Sequence, residues 1–159
     1  LLSIVAEYGT VKVLVMALYT DLGLWYSEQQ RPAAQKRDAT LAMNSYARFL
    51  AQQRGNRQAM DIDVAGTKGL GKLGASYAQR GLSSSGIRER GVGEYGAGWQ
   101  RQKQDVLTGM TEQLRQLDLQ DAATVAEYDA LMQEINREKE RRIIEAATAL
   151  SQFRPFLGS

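Results

Sequence analysis

Apolar side chains crowd the first 26 residues, LLSIVAEYGTVKVLVMALYTDLGLWY, and then thin to sparse, regular stripes toward the other end of the chain. In that first segment Val11, Leu14, Val15, Leu18, Leu22 and Trp25 recur at helical spacing, which predicts a helix packed against neighbours. The VKVLV run is also compatible with a strand. Glu7, Lys12 and Asp21 interrupt the segment. Each charge near a bilayer centre costs about 2.5–3.5 kcal/mol, so the segment is a poor membrane span. Membrane insertion by residues 1–26 stands as the alternative to burial. The chain opens on Leu1 rather than Met, which fits a processed or partly resolved product, and the segment lacks the basic leader and small-residue cleavage site of a signal peptide.

Beyond this apolar segment, residues 1–31, the pattern divides into three further stretches. Residues 32–65 are rich in Ala, Gln, Arg and Leu, with one partial apolar stripe of Leu41, Tyr46, Phe49 and Leu50. They predict a helix from about residue 32 to 60, with Pro32 in its first turn. Residues 66–98 carry ten glycines in 33 positions. Gly74 and Gly81, Gly86 and Gly93, and Gly91 and Gly98 lie seven apart, as they would on narrow faces where helices touch. RGLSSSGIRERG reads as an elbow near 81–86, with Ser84 or Ser85 capping the next helix, and a mobile glycine loop is the competing reading. Residues 99–159 hold a long amphipathic helical region, helical from about 99 to 152 and closed by Pro155. Val106, Met110, Leu114 and Leu117 set its stripe, and Tyr128, Leu131, Ile135, Ile143, Ala146 and Leu150 resume it. The stripe breaks at LDLQD, as at a stutter or helix junction. Leu114, Tyr128, Leu131 and Ile135 are expected to be buried against other helices, either within the chain or from a neighbouring copy. EINREKERR is expected to be a solvated, ion-paired face on which Lys139 matters little.

Composition narrows the chemistry. The 159 residues include no Cys and no His, which removes thiolate nucleophiles, disulfides, sulfur-ligated zinc and the usual neutral-pH general base. Net charge is only +2, and the basic residues Arg137, Lys139, Arg141 and Arg142 alternate with acids, so nucleic acid is not an expected specific partner. The stretch GTKGLGKLG, Gly66 to Gly74, imitates a phosphate-binding loop, but Leu73 stands where the magnesium-binding Ser or Thr belongs. Gly69, Gly71 and Gly74 also spell a dinucleotide fingerprint. Glu94 lies 20 residues beyond Gly74, yet GVGEYG repeats the spacing nearby and no buried strand precedes either. Lys72 is therefore expected to bind no nucleotide. Glu89, Glu94 and Tyr95 are the one cluster with catalytic residue types, and they read as solvated turn residues. No catalytic, cofactor-binding or metal-binding residue is expected, and the chain is not expected to be an enzyme.

The stretch QRGLSSSGIRERGVGEYGAGWQRQKQDV and the Gln-, Ala- and Asp-rich helix after it resemble small helical virion proteins of tailed bacteriophages, of the minor tail, tail-tip or ejection type. Arg80, Gly81, Leu82, Ser85 and Gly86 carry the likeness, which covers roughly residues 75–150. It implies a non-enzymatic, oligomeric component located in the virion, with other virion proteins as partners. The residue pattern leads to a compatible fold: all-α, extended helical hairpins of coiled-coil-like helices with a Gly/Ser-rich elbow, completed by oligomerisation into a homo-oligomer. Two functions follow as expectations. One is a structural part of the tail or connector region. The alternative is an ejection protein whose N-terminal apolar segment enters the host membrane during genome delivery.

Overall fold

The computed structural model describes the backbone of residues 2–153 and the side chains of residue 13 and residues 15–151. The fold is all-α: two helices, α1 (Leu2–Gln79) and α2 (Gly86–Phe153), pack on each other. The contacts divide into two units. Unit 1 joins Leu1–Leu41 to Ala122–Ser159, and unit 2 is Ala42–Asp121.

The helices are longer than the sequence pattern predicts. The boundaries expected at residues 31/32 and 65/66 are not breaks, because α1 runs through both. Pro32 sits inside the helix rather than in a first turn. A proline there removes one amide donor and crowds the carbonyl four residues back, at about 3 kcal/mol. Its side chain points to solvent, and unit 1 holds the turns on either side through Trp25 and Tyr26 before it and Arg37 after it. The helix expected after a Ser84 or Ser85 cap starts at Gly86, and it runs on through residue 99 without the boundary expected there. Pro155, expected to close it, lies outside the described residues.

Six residues connect the helices within unit 2. Gly81 has φ +71°, the left-handed conformation that a side chain disfavours. Its N–H donates to the Ala78 carbonyl at 3.0 Å, and Leu82 N–H donates to the Tyr77 carbonyl at 2.9 Å. This pair of bonds satisfies carbonyls that the end of α1 leaves open. At the start of α2, Ser85 Oγ accepts from Arg88 N–H at 3.4 Å, and the Ser85 carbonyl accepts from Glu89 N–H at 3.3 Å, so Ser85 is the N-cap.

The inward line of α2 passes through Leu107, Met110, Leu114, Leu117, Asp121, Thr124 and Tyr128, spaced alternately by three and four residues. It continues unbroken through LDLQD, where the sequence predicts a shift. The apolar stripe fades there because Asp121 and Thr124 occupy inward positions, while Leu119 faces solvent. The phase changes later, where Met132 rather than Leu131 turns inward. Within the single chain Leu131 is 42% exposed, whereas Leu114 and Tyr128 are half-buried and Ile135 is buried.

Unit 1 is held by rings and cations as much as by aliphatic packing. Arg142 lies over Trp25 at 4.3 Å, Lys139 over Tyr26 at 4.2 Å, and Arg37 over Tyr128 at 4.2 Å. Tyr26 OH donates to Asn136 Oδ1 at 2.7 Å. Glu138 accepts from Arg141 and Arg142 as the ion-paired reading expects, but Lys139 and Arg142 cover aromatic rings of α1 instead of standing in solvent. Of the segment expected to bury Val11, Leu14, Val15, Leu18, Leu22 and Trp25, the structure half-buries Val15, Leu22 and Trp25 and leaves Leu18 exposed. The side chains of Val11 and Leu14 lie outside the described residues.

Candidate interaction surfaces

Unit 2 shows what four of its glycines are for. A Cβ placed at Gly66 would lie 2.6 Å from Cγ of the Trp99 indole, far inside contact distance. At Gly69 it would meet Tyr95 Cζ at 2.5 Å, at Gly91 Tyr77 Cζ at 3.1 Å, and at Gly55 Met110 Sδ at 2.5 Å. Each glycine is a notch on one helix that receives a large side chain from the other. Such contacts offset the roughly 1 kcal/mol by which each helical glycine is disfavoured relative to Ala. Gly55 and Gly66 are buried, and the indole N–H of Trp99 is enclosed without an acceptor among the described residues. The seven-residue glycine pairs do not line the contact as the pattern suggests. Of Gly74, Gly81, Gly86, Gly91, Gly93 and Gly98, only Gly91 would bring a Cβ against a neighbour.

Next to these notches the inter-helix layer is polar. Asn44 Nδ2 donates to Asp121 Oδ1 at 2.6 Å, and Arg48 bridges Asp121 at 2.5 Å and Asp118 at 2.8 Å. The hydrogen bonds from Asn44 and then Arg48 hold the Asp121 carboxyl below its ordinary range. Lys103 Nζ meets Asp63 at 2.6 Å. Polar pairs at inward positions fix which turn of α1 faces which turn of α2, at the expense of apolar burial.

Two surfaces of unit 2 are left over. One is a groove of about 660 Å³ along the α1–α2 seam, floored by Ala47, Ala51, Gly55, Met110 and Leu117. Its rim is made of amides, Gln58, Gln113, Gln116 and Gln120, with the single cation Arg54. The other is a stripe on the outside of α1. Tyr46, Phe49, Met60 and Val64 are 63%, 57%, 67% and 52% exposed. At 100° per residue they fall within about 60° of one another, about 150° round the helix from the inward line of Ala51, Gly55 and Ala59. The sequence pattern finds Tyr46 and Phe49 but takes them for an inward stripe together with Leu41 and Leu50. The inward line there is Asn44, Arg48, Ala51 and Gly55, which hydrophobicity does not mark.

Gly66 to Gly74 is helix interior, so its backbone amides are engaged in the helix ladder rather than free to cradle a phosphate, and Lys72 is exposed. Glu89, Glu94 and Tyr95 are exposed near the start of α2, where Tyr95 lies across Gly69. Among the described residues no group of three His, Cys, Asp or Glu side chains is placed to hold a metal ion, and no helix is long and apolar enough to cross a membrane. No family model, curated protein or solved structure matches the chain. What the molecule offers a partner is its apolar stripe, its amide-rimmed groove and the exposed side chains of unit 1.

Proposed function

We propose that this chain is a non-enzymatic structural component whose helices are completed by further copies of itself, and that the assembly it serves is a tailed-bacteriophage particle, in the tail or connector region. The observation that carries the assembly reading is the balance of burial. Among the described residues the buried hydrophobic side chains are Ala59 and Ile135, each 7% exposed, while seventeen large hydrophobic residues face solvent. The chain exposes 12350 Å². A compact single chain of 17.6 kDa exposes about 7,900 Å², leaving a surplus of roughly 4,400 Å². Obligate homo-oligomer interfaces bury about 2,000–5,000 Å², so association can absorb a surplus of this size. The inward positions of α2 recur at three- and four-residue spacing, which supports the coiled-coil-like reading of its helices. The placement in a virion, with other virion proteins as partners, rests on the likeness of residues 75–150 to phage virion proteins.

Low-resolution imaging of the purified protein tests the assembly reading. Symmetric particles of uniform size are expected; a field of isolated single chains would overturn it. The particle assignment is tested by peptide mass spectrometry of density-purified phage, where peptides of this chain should be recovered in amounts comparable to other tail proteins.

A second reading draws on the exposed Val13, Met16 and Tyr19 of α1. It assigns residues 1–26 to entry into the host membrane during genome ejection. Leakage of dye from anionic liposomes, with and without those residues, separates the two functions. A purely structural part leaves the lipid intact.

A further inference from the structure

We infer that the outer stripe of α1 in one copy, Tyr46, Phe49, Met60 and Val64, seats in the amide-rimmed groove of a neighbouring copy, so that copies join head to tail. The inference rests on the self-association proposed above and names the surfaces that carry it.

Three features argue for this pairing. The first is composition. The stripe supplies two aromatics and a Met, the groove supplies Met110 and Arg54, and neither surface holds a Lys, Asp or Glu. Aromatic, Met and Arg enrichment with depletion of Lys, Asp and Glu is the signature of protein–protein interface cores. The second is the rim. Gln53 lies within the stripe and Asn56 and Arg57 lie about 20° beyond its edges, and Gln58, Gln113 and Gln116 edge the groove. Amides both donate and accept, so the two rims can bond to each other without the desolvation penalty of opposed charges.

The third is position. The stripe spans residues 46–64, and the groove takes residues 47–58 of the same helix. Their centres lie within about three residues, or ~4 Å of helix rise. A neighbour can therefore dock side by side with an axial offset of less than one helical turn, about 5.4 Å. The two surfaces lie on different sides of α1, so the contact is head to tail rather than self-complementary. A head-to-tail contact closes into a ring where its rotation closes and otherwise winds into a filament. Pairing stripe to stripe would bury the aromatics but leave the groove of about 660 Å³ unfilled.

The absence of cysteine makes a clean experiment possible. Full-length chains carrying Gln53→Cys and chains carrying Gln113→Cys are mixed in equal amounts and oxidised gently. Both positions are exposed, so neither substitution disturbs a packed side chain. The expected product is a disulfide between position 53 of one chain and position 113 of another, and links of either variant to itself should be rare. Predominant 53-to-53 links would mean that copies pair through the stripes about a twofold axis, and would overturn the inference. In parallel, Phe49→Arg should weaken association about 30-fold or more, the effect of losing an interface hot spot, with helix content by circular dichroism restored once the concentration is raised enough to restore association. Oligomers that ignore Phe49→Arg would refute the named surfaces while leaving self-association intact. A wild-type chain that stays monomeric at every concentration would remove the assembly reading itself.

Discussion

Adding one methyl group at Gly66 drives it into the Trp99 indole, whereas the same change at Gly71, a few residues along the same helix, points into open space. The two substitutions should therefore move stability in opposite directions. Gly66→Ala overpacks a buried notch and should cost about 1–3 kcal/mol. Gly71→Ala should gain up to about 1 kcal/mol of helix propensity. Thermal melts of the two variants check this, and equal shifts would mean that the notch does not exist. Gly81→Ala should cost about 1–2 kcal/mol for its left-handed φ, while Gly86, with no neighbour within 4 Å and no positive φ, should accept Ala. Much of this was hidden from the sequence for a physical reason. Glycine richness is visible along the chain, but whether a glycine is a notch depends on which distant side chain meets it, and Trp99, Tyr95, Tyr77 and Met110 lie 14 to 55 positions away. Carboxylates give a second test, with Asp121 in unit 2 and Glu138 in unit 1. Asp121 and Glu138 are both held below their ordinary values of 3.8 and 4.5, Asp121 by Asn44 and then Arg48, Glu138 by Arg141 and then Arg142. A depressed carboxylate contributes stability that is complete above its ordinary value and disappears as pH falls through the lower folded value. With no His and no Cys, stability should be level from about pH 6 to 8 and fall below about pH 4. A transition near neutrality would contradict this assignment.

Within α2, Ile135 and Leu131 stand four residues apart, yet one is buried and the other 42% exposed. Ile135→Ala should cost about 2–5 kcal/mol in a thermal or urea melt, and Leu131→Ala distinctly less. Glu140, exposed, is the silent control. Lys139 is not, because it covers the Tyr26 ring, and Lys139→Ala should cost about 0.5–1 kcal/mol. Helix type was legible along both segments, since Ala, Gln, Arg and Leu favour helix and the stripes have its period. Helix extent was not. Proline and glycine signal breaks, but packing on a partner helix overrides a local penalty of a few kcal/mol, as at Pro32 and Gly66. The inward line was misread at LDLQD for a related cause. Asp121 is inward because Asn44 and Arg48 receive it, and a hydrophobicity pattern cannot register a polar position of that kind.

Taken as one chain, the protein buries the hydrophobic side chains Ala59 and Ile135 among its described residues and leaves seventeen large ones exposed. The outer stripe of α1 and the seam groove are the surfaces through which further copies would supply the missing burial. Sedimentation velocity across a hundredfold range of concentration measures this most directly. The expected result is a species whose mass is a fixed multiple of 17.6 kDa, dissociating on dilution with a parallel loss of helix signal by circular dichroism. A single chain of 17.6 kDa at every concentration, melting cooperatively at a temperature independent of dilution, would contradict it.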